Sequence, residues 1–259
     1  MQEITIVKVG GKVVETPESL NELLNDFVTL PGLKVLVHGG GRSATKVAAQ
    51  LGVETKMVDG RRITDLETLK VVTMVYAGLV NKNIVASLQA RNANSVGLTG
   101  ADLNLIKAVK RPVKEIDYGY VGDVESVQVN ELMDLINKGV IPVVAPLTHD
   151  GKGNMLNTNA DTMASALASA LAKHYKVNLV YCFEKKGVLS NPDDDESVIK
   201  ELSHKLFKEH QETGVITEGM IPKLDNGFNA LNAGVIKVSI TNTQGLKGGL
   251  DKGTLLKKD

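Results

Sequence analysis

Short apolar runs rich in β-branched residues alternate with helix-forming segments along the whole chain. Residues 4–9 and 33–37 form two such runs, and each ends at a glycine turn that leads into a helical pattern. Nearly continuous apolar runs are typical of strands buried on both faces of a parallel sheet. The alternation therefore predicts an α/β fold with a mainly parallel central sheet.

The 259-residue chain departs from this pattern in one place. Residues 103–128 form short alternating pieces separated by turn residues, which predicts β-hairpins that project from the sheet. Thr16, Asp65 and Asn130 are predicted N-caps, and Asp65 opens a long helix that reaches about residue 90. Because no linker or repeat divides the chain, we expect one domain with two lobes, residues 1–173 and 174–259.

Composition limits the classes of partner. Basic and acidic residues both number 30, so the formal net charge is zero, and aromatic residues make up 3% with no tryptophan. Neither a nucleic acid nor an anionic membrane is therefore expected as a partner. A lone cysteine, Cys182, and an N-terminus without a basic leader predict a cytoplasmic protein. In its apolar strand, Cys182 is expected to be an inert core thiol.

Three consecutive glycines, Gly39 to Gly41, lie between a predicted buried strand and a helix start. Such a junction exposes backbone N–H groups at the positive end of a helix dipole, which favours an anion. A tight structural turn is the simpler alternative. The spacing matches neither a P-loop nor a dinucleotide fingerprint. His38, just before the loop, is expected to be a packed histidine rather than a base.

Lys8 lies near the end of an otherwise apolar strand that runs into Gly10 and Gly11. A buried lysine is costly without an anionic partner. Since ligands of open α/β sheets collect beyond the carboxyl ends of the strands, both glycine turns should meet at that edge. The alternative is an edge lysine whose stem alone is buried.

Further polar residues are candidates for substrate contacts. Asn157, Asn159 and Asp161 precede an alanine-rich helix, where one of them is expected to be a plain N-cap. If this segment is extended, both asparagines point to the same side. The pair Arg61 and Arg62 offers a guanidinium for bidentate binding of a carboxylate, although surface arginines are common and the signal alone is weak. Lys223, taken alone, is interpreted as a solvated helix lysine. The acidic run at residues 193–195 is interpreted as a solvated loop, not a metal site.

Five stretches together resemble the amino acid kinase family, in particular its branch that phosphorylates acylated glutamate. They occur in the order found in the family, span almost the whole chain, and comprise residues 8–11, 37–41, 60–64, 157–161 and 216–223. Each motif is weak by itself, whereas the ordered set is specific.

The resemblance implies an open αβα sandwich whose N-terminal lobe binds an N-acylglutamate and whose C-terminal lobe binds ATP. It gives each candidate residue a role. Lys8 and Lys223 would stabilise the transferring phosphoryl group, and Asp161 would orient both lysines. Substrate contacts would come from Gly40, Gly41, Arg62, Asn157 and Asn159, and nucleotide contacts from Gly10, Gly11, Gly187, Leu189 and Thr217.

The implied reaction is phosphorylation of the γ-carboxylate of N-acetylglutamate, the second step of arginine biosynthesis. A carboxylate acceptor is ionised near neutral pH and needs no general base. Cationic side chains and aligned backbone amides offset the repulsion between the acceptor carboxylate and the nucleotide phosphates. Mg²⁺ is expected to be held mainly by the ATP phosphates, so no dedicated protein metal site is expected.

Two departures from the family pattern matter. Residues 184–187 read Glu-Lys-Lys-Gly where relatives usually show an aspartate-containing turn, which leaves the adenine and ribose contacts open. The chain begins almost at its first strand, whereas arginine-inhibited relatives carry an extra N-terminal helix. We therefore expect a homodimer without arginine feedback.

Alternative functions stay open from the sequence. The substrate could carry another acyl group, such as succinyl, with the 103–128 region as the expected place of that difference. Other acceptors in the family are aspartate, glutamate, carbamate and UMP. A non-catalytic acylglutamate sensor is a third interpretation, although such a protein would be expected to have lost Lys8, Asp161 or Lys223.

Overall fold

A computed structural model describes residues 1–58, 61–216, 219–247 and 252–259. The strands are β1 (Glu3–Val9), β2 (Leu33–His38), β3 (Lys56–Val58), β4 (Arg61–Ile63), β5 (Ser95–Leu98), β6 (Ile106–Lys110), β7 (Gly122–Val127), β8 (Ile141–Val144), β9 (Leu147–His149), β10 (Met155–Asn157), β11 (Lys176–Cys182), β12 (Glu201–Ser203), β13 (Lys237–Thr241) and β14 (Thr254–Lys257). The helices are α1 (Gly11–Glu15), α2 (Pro17–Thr29), α3 (Gly41–Gln50), α4 (Leu66–Thr73), α5 (Asn81–Gln89), α6 (Asn130–Asn137), α7 (Ala160–Leu171), α8 (His204–Glu212), α9 (Ile221–Asn232) and α10 (Thr243–Lys247), with a π-helical segment (Met74–Val80) and a 3₁₀ turn (Asp102–Asn104).

Eight strands form the central sheet in the order β12-β14-β13-β11-β1-β2-β8-β5. All neighbouring pairs are parallel except β13 and β14. The predicted mainly parallel α/β fold is therefore confirmed. Strands β1 and β11 lie side by side at its centre, so residues from both halves of the chain meet at one sheet edge.

The predicted hairpin region contributes β6 and β7 to a second, four-stranded sheet in the order β10-β9-β6-β7. Strands β6 and β7 pair antiparallel, as do β9 and β10. One hairpin, formed by β6 and β7, lies between residues 103 and 128, where more than one was expected. The strand β10 of this sheet ends at Asn157, immediately before α7, so the sheet delivers that residue to the start of the helix.

Apolar side chains from both faces of the central sheet form two core clusters. Alternation along β1 puts Ile4 and Ile6 in one cluster and Val7 and Val9 in the other. Lys8 is in phase with Ile4 and Ile6, so its side chain belongs to the face that α7 and α9 cover. This register explains why the lysine is 6% exposed although it is charged.

The long helix predicted after Asp65 is present, and the Asp65 carboxylate caps it by accepting the Thr68 N–H at 2.8 Å. Residues Leu66–Gln89 are long and apolar enough to cross a membrane by length and composition alone. One face of this helix, which includes Val72, Ile84 and Leu88, is buried in the second core cluster. It is therefore a core helix, and its π-helical centre was not predicted.

Thr16 is confirmed as the N-cap residue of α2, although its side chain does not cap the helix, and the cap predicted at Asn130 is wrong. Thr16 occupies the N-cap position of α2, but its hydroxyl donates to the Lys12 carbonyl instead of accepting a helix N–H. Asn130 is the first residue of α6, and Val129 takes the cap position without a capping side chain. The Thr16 hydroxyl is bonded to the preceding helix α1, and α6 begins one residue earlier than a cap at Asn130 would place it.

Candidate active site

Two lysines converge on one buried carboxylate at the carboxyl end of β1. Lys8 Nζ lies 2.8 Å from Asp161 Oδ1, and Lys223 Nζ lies 3.5 Å from Asp161 Oδ2. Asp161 is 4% exposed, and the Lys223 side chain is 20% exposed. Residues far apart in sequence, from β1, α7 and α9, thus form one charge cluster.

The first turn of α7 fixes the Asp161 carboxylate in this place. Asn159 Oδ1 accepts the N–H groups of Asp161 and Thr162 at 2.7 and 3.2 Å, so Asn159 is the helix N-cap. Burial alone would raise the pKa of Asp161, but Lys8 and Lys223 outweigh it and hold that pKa below its ordinary value. The carboxylate is therefore ionised at neutral pH, and the cluster carries one excess positive charge.

A cleft of about 340 Å³ opens over this cluster. Four cations line it, namely Lys8, Lys12, Arg42 and Lys223, together with Gly10, Phe183, Glu184, Gly219 and Met220. Glu184 is the one carboxylate among the described lining residues. Such an excess of positive charge suits a polyanion.

A smaller cavity of about 180 Å³ lies beside the glycine loop. It is lined by Gly39 to Gly41, Met57, Arg61, Arg62, Tyr76, Arg111, Val121, Pro146 and residues 157–160. Arg62, which is 8% exposed, donates through Nη2 to the Gly41 carbonyl at 2.7 Å and to Thr45 Oγ1 at 2.9 Å. Its Nη1 is buried and has no hydrogen-bond partner among the described residues. A buried guanidinium nitrogen left in this state favours an anionic ligand.

Asn157 and Asn159 both line this cavity but offer it different groups. Asn157 is buried, and its Nδ2 donates to Thr64 Oγ1 at 3.0 Å, while the Thr64 hydroxyl donates to the Arg62 carbonyl at 3.1 Å. This chain of bonds fixes the Asn157 amide and leaves its carbonyl oxygen as an acceptor. Asn159 is exposed and uses its carbonyl oxygen as the cap, which leaves its NH₂ group as a donor. The plain N-cap interpretation is thus correct for Asn159 alone.

The glycine loop presents free amides at the start of α3. Among the described residues, the N–H groups of Gly40 and Gly41 donate no backbone hydrogen bond, while Gly39 N–H donates to the Val9 carbonyl at 3.0 Å. Glycine is needed at position 40 because a Cβ there would lie 3.0 and 3.2 Å from the Tyr76 ring carbons Cδ1 and Cε1. The loop is therefore packed tightly against the long helix.

The His38 ring is hydrogen-bonded to both the glycine loop and the long helix. Its Nδ1 lies 2.7 Å from the Gly39 carbonyl, and its Nε2 lies 3.1 Å from Asn81 Nδ2, which also donates to the Val143 carbonyl at 2.9 Å. Burial lowers the pKa of His38 to about 4, with a smaller opposing effect from the Gly39 carbonyl. The ring is therefore neutral with the proton on Nδ1, and the prediction of a packed histidine is confirmed.

The described residues predicted to contact the nucleotide follow two neighbouring strands, since Gly10 and Gly11 come directly after β1, and Gly187 and Leu189 lie in the segment after β11. The Gly10 N–H is already donated to the Cys182 carbonyl at 2.8 Å, so Gly10 offers close backbone approach but no amide. Gly187 is buried against Thr254, and Leu189 is buried beside Val198. Gly11 begins α1. Thr217 lies outside the described residues.

The unusual lysines of the 184–187 segment are paired with the acidic loop. Lys185 Nζ lies 2.6 Å from Asp195 Oδ1, and Lys186 forms an ion pair with Glu196. These pairs are exposed, which agrees with the interpretation of residues 193–195 as a solvated loop. No group of three or more potential metal-ligating side chains occurs within the described ranges.

Burial raises the pKa of the Cys182 thiol to about 12, so the prediction of an inert core cysteine is confirmed. Four residues that shape the cavity were missed by sequence reasoning. Thr45 and Thr64 hold Arg62 and Asn157, Asn81 holds His38, and Tyr76 lines the cavity itself. Each of the four lies in a helix or just before one, at a position that suits an ordinary core or cap residue. No local pattern therefore marks it as part of a site.

Comparisons with known proteins are consistent across the chain. Residues 3–242 match the amino acid kinase family. Acetylglutamate kinase from Bacteroides thetaiotaomicron is 64% identical over 257 residues, which cover 99% of this chain and 99% of that protein. Acetylglutamate kinases from Phocaeicola vulgatus and Methanopyrus kandleri are 62% and 41% identical, again with at least 97% of both chains covered.

Solved structures agree with this fold. The protein smu.665 from Streptococcus mutans superposes with a TM-score of 0.82 at 30% identity, covering 99% of each chain. Carbamate kinase from Giardia lamblia bound to AMP-PNP superposes with a TM-score of 0.72 at 14% identity, covering 99% of this chain and 98% of that one. The second likeness concerns the fold alone.

Proposed function

This chain belongs to the amino acid kinase family, and from that premise we propose that it phosphorylates the γ-carboxylate of N-acetyl-L-glutamate with ATP. The products are N-acetylglutamyl 5-phosphate and ADP, and the reaction is the second step of arginine biosynthesis. The observation that carries this proposal is the convergence of Lys8 and Lys223 on buried Asp161 beneath a cationic cleft.

The chemistry needs electrostatics more than proton transfer. A γ-carboxylate has a reference pKa of about 4.3 and attacks as the anion, so no base has to be supplied. Lys8 and Lys223 bind the oxygens of the transferring phosphoryl group and offset the charge of the approaching carboxylate. Asp161 orients both ammonium groups. Because it neutralises only one of them, the cluster keeps a positive charge for the transition state.

The polar groups that line the small cavity are complementary to those of an N-acylated α-amino acid. Arg62 Nη1 binds the α-carboxylate, since it is a buried cationic donor of a cavity-lining residue and has no hydrogen-bond partner among the described residues. The Asn157 carbonyl oxygen accepts the amide N–H of the substrate, and the Asn159 NH₂ group donates to its acyl carbonyl. The free Gly40 and Gly41 amides bind the anionic end that meets the phosphoryl group. Donors and acceptors thus match an amide, which a free amino acid lacks.

ATP binds at the lobe formed by residues 174–259, with contacts from Gly11, Gly187, Leu189 and Thr217 and from the backbone at Gly10. Mg²⁺ accompanies it and shields the phosphate charge when bound. The protein fits a metal held mainly by phosphate oxygens, because Glu184 is the one carboxylate among the described residues lining the cleft and Asp161 is committed to lysines.

A second candidate substrate is an N-acylglutamate whose acyl group ends in a carboxylate, such as N-succinylglutamate. Arg61 and Arg111 both line the small cavity and the larger groove of about 1130 Å³ beside it. Arg111 is paired with Asp123 at 2.5 Å, whereas the Arg61 side chain has no hydrogen bond or ion pair within the described ranges. That cation favours a negatively charged acyl terminus.

The active species is a cytoplasmic homodimer in this proposal. Leu66, Met74 and Leu79 are each about half exposed on the long helix. Exposed apolar side chains of this size favour burial against a second copy. Sedimentation at micromolar concentration tests the dimer, and a monomer there would contradict it.

A coupled assay tests the proposed function. ATP is offered with N-acetylglutamate, N-succinylglutamate, glutamate, aspartate or UMP, and acyl phosphate is trapped with hydroxylamine. We expect turnover with an N-acylglutamate and none with the other three. Preference for the succinyl compound selects the second candidate. Binding of acylglutamate without turnover would indicate a sensor and refute the kinase function.

A further inference from the structure

The long helix widens next to the candidate substrate cavity. Residues Met74–Val80 adopt π-helical hydrogen bonding between the α-helical segments α4 and α5. A π-helical turn is rare and occurs often at functional sites, because the wider turn redirects side chains. Here the redirected segment contains Tyr76, which lines the cavity together with Arg62.

Tyr76 is packed against Gly40 and lies near Arg62, two residues to which the proposed function assigns substrate contacts. The residue is 5% exposed, and its ring lies directly on Gly40. A Cβ placed on Gly41 would lie 3.8 Å from Arg62 Nη2 and 3.9 Å from Tyr76 Oη. The hydroxyl therefore shares one small neighbourhood with the guanidinium and the start of α3.

The Tyr76 hydroxyl is a donor in this neighbourhood. Burial raises the pKa of the phenol, with a smaller lowering from the Arg62 guanidinium, so the group keeps its proton at neutral pH. Arginine can only donate, so it cannot take up that proton. Among the hydrogen bonds of the described residues, none is donated by the Tyr76 hydroxyl, whereas the Tyr175 hydroxyl donates to Asn137 Oδ1 at 3.0 Å and that of Tyr181 to the Asp161 carbonyl at 3.4 Å.

We propose that Tyr76 binds the substrate, its hydroxyl donating a hydrogen bond to the same α-carboxylate that Arg62 Nη1 binds. This assignment rests on the proposed function, because it takes an N-acylglutamate as the ligand of the small cavity. The tyrosine adds a neutral donor to the guanidinium, and the π-helical segment holds its ring against Gly40. The site then recognises the carboxylate through two side chains from different elements.

Tyr76→Phe tests the assignment, since it removes only the oxygen. We expect the KM for N-acetylglutamate to rise roughly tenfold, the usual effect of losing a hydrogen bond to a charged group. The KM for ATP and the kcat should change by less than about twofold, because the contact is equal in ground and transition states. Tyr175→Phe, which removes another buried hydroxyl at a distant place, is the matched control, and thermal unfolding verifies that both variants are folded.

A ligand that lacks the α-carboxylate separates binding from packing. N-acetyl-4-aminobutyrate is measured by its inhibition constant against N-acetylglutamate, and that constant should agree between wild type and Tyr76→Phe within about twofold. An unchanged KM for N-acetylglutamate, or equal weakening of both ligands, would overturn the assignment. Absence of wild-type turnover with every acylglutamate would instead refute the proposed function on which it rests.

Discussion

Replacing Asp161 by asparagine removes one charge from the centre of the candidate site and almost no volume. Two ammonium groups, 2.8 and 3.5 Å from its oxygens, then face an amide. Breaking a buried ion pair by removing one partner costs about 3–5 kcal/mol, because the remaining charge stays buried. Lys8 is almost fully buried, so it gains little solvation in the variant. We expect a loss in that range, equivalent to a fall in Tm of roughly 10 °C for a chain of this size.

Thermal and urea unfolding of wild type and Asp161→Asn measure this loss. Glu125→Gln is the matched control, because it breaks the Lys107–Glu125 pair, also 2.8 Å long but about half exposed. Exposed pairs contribute about 0–1 kcal/mol, so the control should unfold near the wild-type temperature. Equal stability of wild type and Asp161→Asn would refute the claim that the carboxylate is the counterion of buried lysines.

The same variant has a defined pH dependence. The pKa of Asp161 is below its ordinary value of 3.8 in the folded protein, so its ionised form contributes stability above that value. As the pH falls below 3.8 and through the folded pKa, wild type loses this contribution and the asparagine variant does not. The stability difference between them should therefore shrink in acid. A difference that stays constant from pH 7 to pH 3 would contradict the ion-pair origin of the effect.

Three further predictions concern the substrate cavity and its support. Arg62→Lys should raise the KM for N-acetylglutamate at least roughly tenfold and leave the KM for ATP unchanged, because lysine cannot reach Gly41 and the ligand at once. An unchanged KM for N-acetylglutamate would show that Arg62 does not contact the substrate. Gly40→Ala should unfold at a lower temperature than Gly41→Ala, since only the first Cβ comes within 3.0 Å of the Tyr76 ring; equal melting temperatures would contradict the packing. In wild type the free energy of unfolding should fall as the pH falls from 6.5 to about 4, because His38 takes up a proton in the unfolded chain but stays neutral when it is buried. His38→Gln should remove this part of the pH dependence. An unaltered pH dependence would show that His38 titrates normally.

The fold and part of the site follow from local sequence patterns. Apolar β-branched runs ending in glycine turns are enough to predict a parallel sheet, because a strand buried on both faces tolerates few polar residues. Lys8 was recognisable for the same reason: it is a cation inside such a strand, and it has the anionic partner that burial requires. In these cases a few neighbouring residues are enough to give the signal, although the partner of Lys8 comes from the distant helix α7.

Other parts of the site depend on contacts that no local pattern contains. Lys223 belongs to a helix that resembles any amphipathic surface helix, and only the packing of α9 on α7 brings it to Asp161. Tyr76 has the spacing of a core residue, and no residue in its neighbourhood indicates the π-helical segment to which it belongs. Asn159 is both a cap and a cavity residue, so its sequence preference reveals only the first role.

In the proposed reaction two lysines, oriented by Asp161, stabilise the phosphoryl group as it passes to a carboxylate. The most direct test is the kcat for hydroxamate formation by Lys8→Ala and Lys223→Ala, with Lys107→Ala as the control for an exposed lysine in an ion pair. Loss of one preorganised charge contact at the transition state should lower the kcat on the order of 10²–10³-fold, with far smaller changes in either KM. A kcat within about twofold of wild type in either variant, with the control equally active, would contradict the lysine clamp.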